Sequence, residues 1–550
     1  MSDQAVLGRD GFSDGGVAGQ AFEGAARLYA VPPPAVAALL MAGTVLGAAG
    51  DAALRGPDGP PGVSLSVWIA SVAVAALVLH RRAALTPDRE RVAWLAIGVV
   101  SAAGLAWRDA PPLKLLALGC ATLTFALAAH RRSAAWVRRA GVLRYAGALA
   151  LGAVHAWTAA ALALADAMRT SAGTGAGHGD GWRRAAAVVR GLAIAAPLLV
   201  IFGALFVSAD AVFADLVGSV LRIDFQRVVG HVLLFSICAW LSIGYLRGFL
   251  TGTEPQLAAR DGRGIESQTS APAAKRPALG ITETGTALAA IDLLFLVFVI
   301  VQFRYLFGGN ALVQITPDLT YADYARRGFF ELVAAVVLVV PLLLAADWLL
   351  GGGSRRDVLV FRSLAGLQIG LVLAIAASAL QRLRLYHAVY GLTASRVYAM
   401  ALLIWMGVVL IWLAATVLRG RRDAFAFGAL ASGLAAVAVL FAIDPDATIA
   451  RTNVARMASA DAPVRFDVAY ATSLSADAVP VLIDALPALP SDVQCPLARH
   501  MLRRWPPDRQ RSIRGWSWSA ARAAAAVHGH EAQLRSMVGP DRQCSPPTAR

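Results

Sequence analysis

Runs of mostly apolar residues, separated by short polar connections, follow one another along most of the chain. A helix needs roughly 20 such residues to cross the hydrocarbon core of a bilayer. The runs that meet or approach this length cover residues 33–52, 63–79, 92–107, 113–129, 143–165, 188–207, 228–246, 287–307, 329–350, 361–380, 397–418 and 425–443. Because lipid offers the backbone no hydrogen bonds, each run is predicted to be a helix. The pattern predicts an all-α polytopic transmembrane helix bundle of about 11–13 spans.

Polar stretches divide this bundle into parts. Residues 1–32 are polar and are predicted to be disordered, and residues 251–285 form a long polar linker. The apolar runs fall into an upstream group at 33–166, a middle group at 187–250 and a motif-rich downstream group at 286–443. Residues 444–550 form a small helical tail. We expect this tail to lack a large core of its own and to pack on the membrane domain.

The composition is typical of a membrane protein, and a membrane location accounts for the net positive charge. The chain is 57% hydrophobic and 15% charged, with a formal net charge of +15. Basic residues of a multi-pass protein concentrate in short cytoplasmic loops, so the positive charge indicates orientation, and no nucleic-acid partner is expected. The expected location is the bacterial cytoplasmic membrane, with membrane lipids as partners.

The basic loops predict two orientations that conflict. One set of Arg residues lies within 81–91 and 131–139, and a second set lies within 247–276, 355–356 and 419–422. Each set is consistent with itself, but three predicted spans separate them, so both cannot be cytoplasmic. One segment must therefore be miscounted, and we expect a re-entrant segment at 208–225 to be the cause; we take the downstream set as cytoplasmic. This places the connections after residues 207, 307, 380 and 443, and the tail, on the outer side.

The first two outer connections carry acidic and aromatic residues. In the first, Asp210 and Asp215 predict a capped interfacial helix or a carboxylate pair for proton or cation chemistry. Their spacing of five residues does not share a helix face well, which favours capping. The second holds four residues typical of helix starts and interfacial belts. They are Arg304, Tyr305, Tyr321 and Tyr324.

The third connection is the most basic. Arg382, Tyr386 and Tyr390 repeat every four residues and line one helix face, beside Arg384 and His387. The arginines could bind an anionic headgroup or substrate. An interfacial belt of snorkelling side chains explains the same pattern and is the favoured alternative. A lone His is a weak metal ligand, so neither a metal site nor a cofactor is expected.

The fourth connection opens the tail. Asp444 followed by Pro445 predicts a firm helix start, and Asn453 follows two turns later. Further on, Cys495 and Cys544 are candidates for a disulfide if the tail is outside the cytoplasm. Inside the spans, Asp292 and Glu331 are ionisable residues in apolar surroundings, which by default mark an ion or substrate path.

Taken in order, these four connections resemble an uncharacterised family of bacterial multi-pass membrane proteins, the domain-of-unknown-function 4153/4173 type. The matching stretches are residues 202–215, 304–309 with 320–331, 382–393, and 444–453 with 474–480. The resemblance spans roughly 187–486, and the upstream helices are similar only in hydropathy. It implies architecture and location, and no activity. Asp444 stands where the family has Asn, a change that preserves capping.

Three classes of function fit these residues. The leading hypothesis is a protein without enzymatic activity, whose outer connections form one polar surface for a protein partner, a lipid headgroup or an envelope component. A secondary transporter would use Asp292 and Glu331. An enzyme acting on a lipid-linked substrate would use Asp210, Arg382, Arg384 and His387. The chain has no Walker loop, paired-His metalloprotease helix or G-x-S-x-G.

Overall fold

A computed structural model gives the fold of most of the chain. The structure describes residues 31, 33–55, 62–85, 88–129, 141–173, 202–203, 205–206, 209–210, 225–251, 280–307, 329–350, 354–459, 466–506, 513–538 and 544. Every regular element in these residues is a helix, and eleven helices are long and apolar enough to span a membrane. The all-α polytopic bundle is confirmed, and the chain is a multi-pass membrane protein.

The spanning helices follow the predicted apolar runs closely. They are α1 Pro33–Leu54, α2 Val63–Arg82, α3 Arg89–Trp107, α4 Pro111–Ala129, α5 Val142–Gly173, α6 Phe225–Thr251, α7 Ile281–Phe307, α8 Phe329–Leu350, α9 Arg355–Tyr390, α10 Ala394–Thr416 and α11 Phe425–Ile443. The helix α9 extends well beyond the predicted apolar run because it continues through polar residues at both ends. At its start, Ser354 and Asp357 form a capping box. At its end, Gly391 adopts a φ of 81°, which a side chain would strain.

The ends of α3 and α11 lie on the same side of the membrane. Arg108 directly follows α3, Asp444 directly follows α11, and their side chains form an ion pair. We call this the tail side and the other the linker side. The helix α6 begins on the tail side, because His231 Nδ1 lies 2.7 Å from Asp51 Oδ2 near the end of α1.

The linker side therefore carries both sets of basic loops. The helices α3 and α11 begin there, so Arg89 and Arg422 share one side of the membrane. Arg91 is buried at this side, where it donates hydrogen bonds to the carbonyl groups of Ala128 and Phe249 in the last turns of α4 and α6. Among the described helices, two spans, α5 and α6, separate the two sets of basic residues, where the apolar runs gave three, so the count of runs was wrong by one, as expected. The proposed re-entrant segment at 208–225 lies outside the described residues except for positions 209 and 210.

The tail folds into short helices on the tail side. They are α12 Pro445–Ser459, α13 Val468–Ser473, α14 Val479–Ala485, α15 Ser491–Arg504, α16 Trp518–Gly529 and α17 Glu531–Val538. In the described part of the chain, twenty buried apolar residues of the tail form one cluster with Leu392. The expectation that the tail lacks a large core is wrong. Several short amphipathic helices together bury what no single one could. A disulfide joins Cys495 to Cys544, with their Cα atoms 5.7 Å apart.

Candidate functional site

The tail meets the membrane domain at a buried cluster of charges. We call this cluster the tail junction and define it as Arg108, Asp444, Asp446, Ser475, Asp477 and Ser519. Arg108 donates to the carboxylates of both Asp444 and Asp477 and, through Nε, to the Phe441 carbonyl oxygen at 3.1 Å. The side chains of Arg108 and Asp477 are 9% and 0% exposed. One guanidinium thus joins the ends of α3 and α11 to the tail.

Asp477 is the most highly connected member of the junction. Its Oδ2 accepts hydrogen bonds from the backbone N–H groups of Asp109 at 2.8 Å and Ala110 at 3.2 Å. The Ser475 hydroxyl also donates a hydrogen bond to Oδ2, and the Ser519 hydroxyl donates one to Oδ1. The Ser519 hydroxyl oxygen also lies 3.0 Å from the Trp107 carbonyl oxygen, so its one hydrogen is shared between two acceptors. Such full pairing is what makes a buried carboxylate tolerable.

Asp444 forms the turn between the last span and the tail. Its backbone has a φ of 56°, and its Oδ1 accepts the Ala447 N–H, which confirms that it caps α12. Burial raises the pKa of Asp444 to about 6, with the Asp477 carboxylate acting in the same direction and Arg108 opposing both. Two carboxylates share one guanidinium, so a proton on Asp444 would balance the charge.

A second contact ties the tail to the connection between α9 and α10. The Asn453 amide accepts the Leu392 N–H at 2.7 Å and donates to the Leu392 carbonyl oxygen at 2.9 Å. Tyr470 accepts the Ala394 N–H through its hydroxyl oxygen at 2.7 Å, and burial raises the pKa of this phenol. The third and fourth connections predicted from sequence are therefore brought together by the structure.

The basic residues of the third connection surround this contact. Tyr386 and Tyr390 have ring centroids 4.8 Å apart, and the Arg396 guanidinium lies 4.1 Å from the Tyr386 centroid. Arg384 and Tyr390 are exposed, whereas Arg382 and His387 are half-buried. Arg396 also donates to the Gly391 carbonyl oxygen. Tyr386 and Tyr390 therefore share one face, as their four-residue spacing predicted, and Arg396 packs on it.

The other predicted site residues are less fully described. Asp210 is exposed, while Asp215, Tyr321 and Tyr324 lie outside the described residues. Three more have described backbones on helices, but their side chains lie outside the described part. They are Arg304 and Tyr305 on α7 and Glu331 on α8. The carboxylate pair and the four-connection surface thus stay predictions.

Asp292 lies in the middle of α7 and is 3% exposed. Neither of its carboxylate oxygens has a hydrogen-bond partner among the described residues. Gln368, in the middle of α9, is 0% exposed, and its amide is likewise without a partner there. Within the described ranges, no group of three or more His, Cys, Asp or Glu residues is arranged so that it could hold a metal ion.

None of Arg108, Asp477 and Ser519 is among the candidate site residues predicted from the sequence. Arg108 follows an apolar run directly and is flanked by Trp107 and Asp109, a pattern typical of a snorkelling residue at a span end. The one available signal was an Arg and an Asp in the short connection between α3 and α4. These two residues do not indicate which side chains they pair with, because the partners of Arg108 lie hundreds of residues away in the sequence.

Most of the chain matches one known protein family. Residues 95–485 match the family described as Domain of unknown function (DUF4153). The chain belongs to the DUF4153 family. No curated protein and no solved structure matches it. The DUF4153 match begins within α3, well before the predicted start near residue 187, so it includes Arg108 together with Asp444, Asn453 and Asp477.

Proposed function

We propose that this protein is a lipid-binding protein of the bacterial cytoplasmic membrane, whose outward tail side holds an anionic lipid. The proposed site lies on the outer side expected for the four connections, but α1, α2 and tail residues outside those connections line it. The support comes from a groove between the tail and the first two spans, from the charge of the tail, and from the orientation of the basic loops.

The groove carries the proposal. It has a volume of about 670 Å³ and lies where α1 ends and α2 begins. Small and apolar residues line its membrane part, and three tail residues line its outer part. The main lining residues are Ala52, Val67, Ser71, Ile513, Arg514 and Trp516. An apolar slot below an Arg and a Trp at the membrane boundary suits an acyl chain below an anionic headgroup.

A backbone hydrogen bond holds the groove together. The Val63 N–H at the start of α2 donates to the Trp516 carbonyl oxygen at 2.9 Å. Ile513 is 78% exposed and Trp518 is 52% exposed, in a segment that adjoins the membrane. Exposed Trp at this depth is typical of contact with lipid headgroups. The groove is thus formed jointly by the tail and the membrane domain.

The tail favours an anionic occupant. Residues 444–550 hold 13 Arg and no Lys against 10 Asp and Glu, and three of those acids, Asp444, Asp446 and Asp477, are buried. The remaining surface is therefore more basic than the composition suggests. Because both sets of Arg-rich loops lie on the linker side, that side is expected to be cytoplasmic. The tail and groove would then face outward.

The test is lipid-dependent stabilisation of the purified full-length protein. Phosphatidylglycerol, added to the protein in detergent, is expected to raise the midpoint of thermal unfolding more than phosphatidylcholine does, since ligands stabilise the state that binds them. Arg514→Ala and the groove-filling Ala52→Phe should remove this difference. Arg522→Ala, which changes an exposed Arg on α16, is the matched control and should keep it.

Three results would count against an anionic-lipid site in this groove. Equal stabilisation by both lipids would show that the groove does not select an anionic headgroup. Retention of the full difference in both Arg514→Ala and Ala52→Phe would place the anionic site elsewhere. Stabilisation by a protein of the envelope, with no response to either lipid, would favour a partner surface instead.

A further inference from the structure

Asp292 is an acidic residue at the centre of a membrane span, packed against a parallel neighbour. It lies 11 residues after Ile281 and 9 before Val301, about 15 Å from either end of this span. Leu288, one turn earlier, clusters with Phe361 and Ala365 of α9. Phe295, one turn later, packs against a cluster formed by Ile375 and Ala379 of α9 with Leu403 of α10. Asp292 therefore lies on the face of α7 that contacts α9.

Gln368 lies on the facing stripe of α9 at nearly the same depth. A Cβ atom on Gly285 would lie 3.8 Å from Leu364 Cδ1, which sets the register of the two helices. Asp292 is seven residues beyond Gly285 and Gln368 is four beyond Leu364, a difference of about 4–5 Å along the axis. This distance is within the reach of the two side chains. Both are fully buried and, in the described part of the chain, lack hydrogen-bond partners.

We propose that Asp292 and Gln368 form an intramembrane proton-binding site between α7 and α9. A buried carboxylate in apolar surroundings is costly, so the protonated acid is the resting form. The two side chains are not hydrogen-bonded in the structure, and a change of rotamer would let the Asp292 O–H donate to Gln368 Oε1. When the proton leaves, rotation of the Gln368 amide lets Nε2–H donate to the carboxylate. The amide can pair with both protonation states, which an apolar residue at this position could not do.

The chemistry selects a proton over a metal ion. Hard metal cations require six or more oxygen ligands, and one carboxylate with one amide supplies too few. The two other buried hydroxyl groups of these helices without partners in the described residues are those of Thr284 and Ser378, which lie more than two turns from Asp292 and Gln368 along their own helices. A proton needs a single carboxyl oxygen.

The charged groups of the neighbouring helices lie away from this depth. Near the linker side, Asp347 of α8 is paired with Arg422 at 3.5 Å, and Arg362 of α9 is exposed. Near the tail side lie Glu331 of α8 and Arg382 of α9. The polar group at the depth of Asp292 is therefore the neutral amide of Gln368. It places no fixed positive or negative charge beside the Asp292 carboxyl group.

The site is separate from the lipid groove. It lies between α7 and α9, whereas the groove lies between α1, α2 and the tail. Proton binding here does not depend on lipid binding there, and either proposal can fail alone.

Infrared difference spectroscopy of the full protein in liposomes tests the proposal. Between about pH 5 and about pH 9, the wild-type protein is expected to lose a carboxylic-acid C=O band and gain a carboxylate band. Asp292→Asn should remove the part of this pair of bands that Asp444, whose pKa of about 6 lies in the same pH range, does not contribute. Gln368→Leu should shift its midpoint to higher pH, because the carboxylate loses its donor. Asp347→Asn is the matched control, since it removes another acid of the membrane domain, and should leave the pair unchanged.

The outcomes decide the question in either direction. A pH-dependent band pair that requires Asp292 and moves in Gln368→Leu supports the site. A spectrum that Asp292→Asn leaves unchanged over this pH range overturns it, because Asp292 would then be permanently protonated or permanently charged. A band pair that requires Asp292 but does not move in Gln368→Leu overturns the role of the amide.

Discussion

Arg108 and Asp444 lie 336 residues apart in the sequence and form a buried ion pair where the third and last spans end. The same guanidinium reaches Asp477 at 3.4 Å, so it also binds the tail. Removing one member of such a cluster leaves the others as uncompensated buried charges. The tail junction therefore makes the tail and the membrane domain depend on each other.

Arg108→Ala is expected to destabilise the protein strongly. Loss of the guanidinium leaves Asp444 and Asp477 buried without a cation, at a cost of about 3–5 kcal/mol. Thermal unfolding in detergent, followed by Trp fluorescence, measures this. Arg535→Ala is the control, because it breaks an exposed pair with Glu531 and should cost less than about 1 kcal/mol. Equal midpoints for the two variants would contradict the role of the junction. Arg108→Lys, which keeps the charge, should fall between them.

Asp444 is expected to make stability depend on pH. Its folded pKa of about 6 exceeds the ordinary value of 3.8, so the folded state holds a proton that the unfolded state releases between these values. The contribution to stability should therefore fall as pH rises from about 4 to about 6, by at most about 3 kcal/mol. The measurement is the difference in unfolding free energy between wild type and Asp444→Asn across this range.

The control for this pH dependence is Asp484→Asn, which changes an exposed acid of α14. It should leave the slope with pH unchanged. A wild-type advantage over Asp444→Asn that is constant, or that rises with pH, would show that burial does not govern this carboxyl group.

Asn453→Ala is expected to loosen the contact between the tail and the connection at Leu392. The change leaves the Leu392 N–H and carbonyl groups without partners and should cost about 2 kcal/mol. Hydrogen exchange of peptides containing residues 391–393 should become faster. Asn453→Asp keeps the acceptor and loses the donor, so it should also accelerate exchange. Thr472→Ala, which removes an exposed local bond, should not. Unchanged exchange in both Asn453 variants would mean that the tail does not hold this connection.

The disulfide provides a test of orientation. If the tail is outward, an impermeant thiol reagent should label intact cells only after reduction, in a background with Cys120 and Cys238 replaced by Ala. Those two residues are the free cysteines and lie in α4 and α6. Cys495→Ser frees Cys544 and should permit labelling without reduction. Labelling of this variant only after the membrane is permeabilised would place the tail in the cytoplasm.

Much of the architecture could be read from local sequence patterns. The apolar runs predicted the spans because a bilayer sets the length of each helix independently of its neighbours. The capping role of Asp444 followed from the residue types beside it. The face formed by Tyr386 and Tyr390 followed from helical spacing. Each of these properties depends on residues within about two turns of one another.

The sequence by itself determined that this is a helical membrane protein with its polar chemistry in the connections. Only the tertiary structure decided that Arg108 pairs with Asp444 and Asp477, that the tail has its own core, and that the basic loops share one side. It also decided that Asp292 faces α9 rather than lipid. The reason is that hydropathy and capping are local properties, whereas the partner of a buried charge depends on which distant segments meet.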